Sequence, residues 1–96
     1  MNIPDQREST HGNFMATACT AQRIKIALEM GENWMVPNRE MPPVLKEALH
    51  MIATKMARIV EGDANEPDHW ADIMGYADLA LRAIKARADL ETRLDD

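Results

Sequence analysis

The sequence predicts an all-α fold, a small three-helix domain assembled into a homo-oligomer. Apolar residues recur at alternating steps of three and four in three separate stretches. Segments rich in Gly, Pro and Asn divide those stretches, and no stretch shows the strict alternation of a half-buried strand.

Residues 1–12, with Pro4, Gly12 and no apolar period, read as an extended or flexible arm. Residues 13–96 then form one helical domain. Phe14, Thr17, Ala21, Ile24 and Leu28 make the seam of a first helix over about 14–30, with Asn13 as N-cap and Gly31 as C-cap. Gly31–Pro43 reads as a loop, in which Trp34 either plugs the core from outside or meets a ligand. Pro43 suits the first turn of a second helix, whose seam is Leu45, Leu49, Ile52, Met56 and Ile59 and which Gly62 stops. Asp68 is the expected N-cap of a third helix running to about Leu90. Its seam is Trp70, Ile73, Ala77, Leu81 (or Ala80), Ile84 and Ala88, which places Trp70 in the core. Leu79, Ala80, Ala83 and Ala86 widen that stripe, and a stripe so wide predicts a second packing surface between copies of the chain.

Composition narrows the class. Ninety-six residues, 46% hydrophobic and 28% charged, suit one ordinary globular domain. Phe14, Trp34, Trp70 and Tyr76 are the only aromatics, so an aliphatic core is expected, with eight Met as adaptable filler. A net charge of −5 argues against DNA or RNA as a partner, because nonspecific binding needs a basic face. Cys19 is the single cysteine, which excludes an intramolecular disulfide and a Cys-rich zinc site; it reads as a small buried or boundary residue. No apolar run approaches a membrane span, and Met1–Arg7 lacks a signal peptide's apolar stretch, so a soluble cytoplasmic protein is expected.

Polar residues recur beside the seams of the second and third helices. Met51, Lys55 and Arg58 share one face by steps of four and three, and Asp68, Asp72, Tyr76 and Leu79 share another. Gly75 lies beside them in mid-helix, where it costs about 1 kcal/mol relative to Ala and can mark close approach of a backbone or ligand. Two cations facing two carboxylates admit two readings. One is a salt-bridge network tying the hairpin together. The other is a pocket in which Lys55 and Arg58 hold a phosphate while Asp68 and Asp72 orient them, contact a ribose or base, or hold Mg²⁺ through its waters. A second cluster, His11, Gly12, Asn13 and Phe14, stands where the arm enters the first helix. It reads either as a turn, a cap and a packed Phe14, or as an anion site at the helix N-terminus.

Several enzyme signatures are absent. There is no P-loop and no Gly-x-Ser-x-Gly elbow. The all-α nucleoside triphosphate pyrophosphatases bind Mg²⁺ through paired acidic motifs on two helices. Asp68 and Asp72 could supply one half, but the only Glu-x-x-Glu, Glu29 with Glu32, straddles Gly31 at a helix end.

Taken together, His11-Gly12-Asn13-Phe14, Lys55-Met56-Ala57-Arg58 and Asp68-His69-Trp70-Ala71-Asp72-Ile73-Met74-Gly75-Tyr76 resemble a family of small phage and prophage proteins, some labelled nucleotide kinase-like. The resemblance covers roughly residues 11–80. It implies a phage-encoded protein of the host cytoplasm that handles a nucleotide or related phosphorylated ligand. Carried over, its ligand-binding candidates are His11, Asn13, Lys55, Arg58, Asp68, Trp70, Asp72 and Tyr76. Three functions follow as expectations. The first is an oligomer that binds, and in one version sequesters, a host signalling nucleotide. Trp70 or Tyr76 would stack on or wall the base there. The second is a Mg²⁺-dependent enzyme of phosphoryl transfer or pyrophosphate hydrolysis. The third is a structural or interaction protein with no ligand. No catalytic residue and no metal ligand is assigned.

Overall fold

The structure, a computed structural model, describes residues 13–39 and 41–95. The predicted arm 1–12 and its His11 lie outside them. Among the described residues there are four α-helices and no strand: α1 (Phe14–Glu29), α2 (Glu32–Met35), α3 (Pro43–Glu61) and α4 (Pro67–Asp95). A single 3₁₀ turn, Pro37–Arg39, stands between α2 and α3.

Local chemistry sets the boundaries. Asn13 caps α1 as expected: its Oδ1 accepts from the backbone N–H of Met15 at 2.9 Å and of Ala16 at 3.2 Å. Met30, one residue before the expected Gly31, is the C-cap. The segment read as a loop over 31–43 holds α2 and the 3₁₀ turn, and Arg39 clips back onto Glu32 at 2.7 Å. Pro43 fills the first turn of α3, and the N–H of Gly62 closes its end on the carbonyl of Arg58 at 2.9 Å. Asp68 does not cap α4. Pro67 opens that helix, so Asp68 already stands inside the first turn, where its negative charge favours the helix dipole. The helix continues five residues past the expected end, to Asp95.

α3 is the axis of the fold. α1 and α4 each pack along it, while among the described residues α1 and α4 do not approach one another. Thr20 reaches Glu61, and Glu29 reaches His50; Lys55 reaches Asp72. Both outer helices therefore run antiparallel to α3, and the three form an open layer instead of a closed bundle. The radius of gyration, 16.7 Å, exceeds the roughly 12.5 Å expected of a compact chain this long.

The packing between helices is made of small residues. Ala21, Ala48, Ala53, Ala57 and Ile59 are the buried apolar side chains, and His69, at 1% exposure, is the largest one fully enclosed. Of the expected seams, that of α1 is covered as read beyond Phe14, with Thr17 and Ala21 buried and Ile24 and Leu28 half-buried; that of α3 is covered in part, and that of α4 is largely open. On α3, Ile59 is buried, Leu45, Leu49 and Ile52 are half-buried, and Met56 is exposed. On α4, Trp70, Ala77, Leu81, Ile84 and Ala88 are exposed; the stripe that rests on α3 is His69, Ile73, Tyr76, Ala80 and Ala83. Trp70 is 53% exposed, which corrects its placement in the core, and Phe14 is 81% exposed and does not pack the start of α1. Cys19 is exposed as well, neither buried nor at a boundary. The physical reason is common to all of these. A three-four period marks an apolar stripe, but short connections and alanines decide which side of it a neighbouring helix covers.

Candidate functional site

The facing polar residues of α3 and α4 meet only in part. Lys55 is buried, and its Nζ lies 2.9 Å from Oδ2 of Asp72, a carboxylate that is about half exposed. The hydrogen bond from Lys55 holds the Asp72 carboxyl below the usual carboxylate range, and the charges of Lys55, His69 and Arg58 pull the same way against burial. Arg58 and Tyr76 are half-buried nearby on the sequence, and Asp68 is exposed one turn before Asp72. The pairing expected between the two helices is thus present for Lys55 with Asp72. A buried ammonium with a carboxylate on it is already neutralised, and it has little left to offer a phosphate.

Trp70 turns out differently from its sequence reading. The Trp70 indole N–H donates to the carbonyl of Ala64 at 2.9 Å, which fixes the ring while leaving half its surface in solvent. A Cβ built on Gly75 would meet nothing within 4 Å among the described residues. Asn13 spends its side-chain oxygen on capping α1.

A second polar cluster, which sequence reasoning missed, joins α1, α2 and α3. Trp34 lies against His50 with ring centroids 5.1 Å apart and an interplanar angle of 32°, and the Lys46 ammonium stands 5.6 Å from the Trp34 ring centre. Nε2 of His50 is 3.2 Å from Oε1 of Glu29 but off the hydrogen-bonding direction, so the contact is electrostatic when the ring is protonated. Trp34, Leu28, Leu49 and Met41, together with Gly31, Glu32 and Asn33, line an open hollow of about 330 Å³. The available signal was Lys46 and His50, four apart on one face of α3; Trp34 and Glu29 could not be assigned to it from spacing. Glu29 and Glu32, the only Glu-x-x-Glu, are engaged with different partners, His50 and Arg39.

Among the described residues, no group of three or more His, Cys, Asp or Glu side chains converges as a metal site requires. No described helix is long and apolar enough to cross a membrane. Fold and surface together define an all-α chain with a small-residue core, one polar edge along α3 and α4, and extensive exposed apolar surface. Comparison with protein-family models, with curated proteins and with solved structures finds no match for this chain.

Proposed function

We propose that the protein is a helical interaction module that works as a homo-oligomer, its open apolar surface being the functional surface. One observation carries the reading. Among the described residues, four of the five buried apolar side chains are alanines, whereas Trp70, Met74, Leu81, Ile84, Leu90 and Leu94 on α4 are about half exposed or more. Burial of apolar area is the main driving force of folding, at about 25 cal/mol per Å². A chain that withholds its large apolar residues from its own core buries them in an assembly.

A phosphorylated ligand, such as a nucleotide, is the second reading, and the polar edge favours it through Arg58. Arg58 is half-buried and its charge acts on Asp72 of the Lys55–Asp72 pair, with Tyr76 half-buried as a potential wall for a base. Phage origin and sequestration of a host nucleotide belong to this reading, on the residues of the resemblance alone. The Mg²⁺-dependent enzyme has less to stand on, since Asp72 is committed to Lys55 and the described residues offer no third carboxylate nearby.

Native mass spectrometry of the freshly purified protein, followed by mild acid extraction, separates the readings. An empty oligomer that ignores a nucleotide panel with and without Mg²⁺ supports the interaction module. A nucleotide released intact establishes the ligand reading, turnover of the panel establishes the enzyme, and a folded monomer overturns the interaction module.

A further inference from the structure

We infer that a second copy of this chain covers the exposed seam of α4 in antiparallel orientation, with the two-fold axis passing between Ala77 and Leu81; this rests on the interaction-module reading. Trp70, Met74, Ala77, Leu81, Ile84 and Ala88 follow one another at steps of four, three, four, three and four. That is the spacing of a helix-pairing seam sustained over nearly three heptads. It stands about 100° around α4 from the stripe His69, Ile73, Tyr76, Ala80 and Ala83 that lies on α3, so both can be covered at once. Trp70, Met74, Leu81 and Ile84 are 53%, 73%, 48% and 52% exposed, and both alanines are exposed.

The seam is complementary to itself in only one direction. Antiparallel pairing about an axis between Ala77 and Leu81 sets Trp70 against Ala88 of the second copy, Met74 against Ile84, and Ala77 against Leu81. Each layer then joins a large side chain to a small one, or the adaptable Met to Ile, which is how packed cores fill space. Parallel pairing would instead stack Trp on Trp and leave Ala77 and Ala88 facing their own copies across voids. The arrangement is isologous and closes as a dimer. Trp70 suits the role of anchor, because its indole N–H is already satisfied by Ala64 and its ring need not be reordered on binding. Asp78 carboxylates of the two copies fall on one flank of the axis, and each already carries its own Arg82 at 2.9 Å.

Sedimentation equilibrium of the full chain and three variants tests this. Wild type is expected to be dimeric, and Leu81→Asp to raise the dimer dissociation constant about thirtyfold or more. Leu79→Asp, at an apolar residue on the other side of α4 that is 56% exposed against 48% for Leu81, should leave it unchanged. Should Leu81→Asp unfold the chain, Ala77→Leu decides: in antiparallel register it clashes with Leu81 of the second copy and weakens the dimer, and adding Leu81→Ala restores it. Strengthening by Ala77→Leu alone, or indifference of a self-associating chain to both Leu81→Asp and Ala77→Leu, overturns this pairing while sparing the interaction module. A folded wild-type monomer overturns both.

Discussion

The Nζ of Lys55 sits 2.9 Å from Oδ2 of Asp72, a buried ammonium held by a carboxylate that remains half in solvent. The asymmetry has a direct consequence. Removing the carboxylate strands a charge inside the protein, whereas removing both charges leaves only an apolar contact. Asp72→Asn should therefore lower the melting temperature, and Lys55→Met added to it should raise the melting temperature again. Thermal melts of the two single variants and the double variant measure this coupling.

The same pair gives an acid limb. The Asp72 carboxyl titrates below its ordinary value when folded, chiefly because Lys55 donates to it. Its contribution is thus fully present above the unfolded carboxylate value of about 3.9 and is lost as pH falls from there through the lowered folded value. Melts recorded across that acid range should show wild type losing stability more steeply than Asp72→Asn.

Gly75 stands in mid-helix with open space where a Cβ would go. Gly75→Ala should stabilise the protein by about 0.5–1 kcal/mol, the helix-interior difference between the two residues. Denaturant unfolding checks it. A loss of stability would mean that something outside the single chain approaches this glycine.

Asn13 caps α1 through two backbone N–H groups. Asn13→Ala should cost about 1 kcal/mol, and Asn13→Ser or Asn13→Asp should recover most of that, since each supplies an oxygen acceptor. Equilibrium unfolding of the three variants provides the comparison.

Punctuation made most helix ends legible in the sequence: Asn13, Pro43 and Gly62 each stand at the terminus expected of them, while Gly31 and Asp68 miss theirs by one or two residues. Their covered sides were less legible. Leu45, Leu49, Ile52 and Met56 stood out because they are large, yet the most deeply buried apolar side chains of α3 are Ala48, Ala53 and Ala57. Alanines carry little hydropathy signal, and they are what lets two helices come close. His69 was passed over for the same reason. Its place at the head of a stripe with Ile73, Tyr76, Ala80 and Ala83 was visible in the spacing, but a polar side chain does not announce burial. Of the candidate site, Lys55 with Asp72 was readable from matching faces on adjacent helices. The Trp34 and His50 cluster was not, because it joins residues whose separation follows no helical step.

On the interaction-module reading association is coupled to folding, and the most direct test of it is the dependence of thermal unfolding on protein concentration. Far-UV circular dichroism melts over about a hundredfold range of concentration should show a midpoint that climbs steadily with concentration, as for an obligate oligomer. A cooperative helical transition whose midpoint stays fixed across that range would contradict it, and would mean that the single chain holds itself together with its large apolar residues left in water.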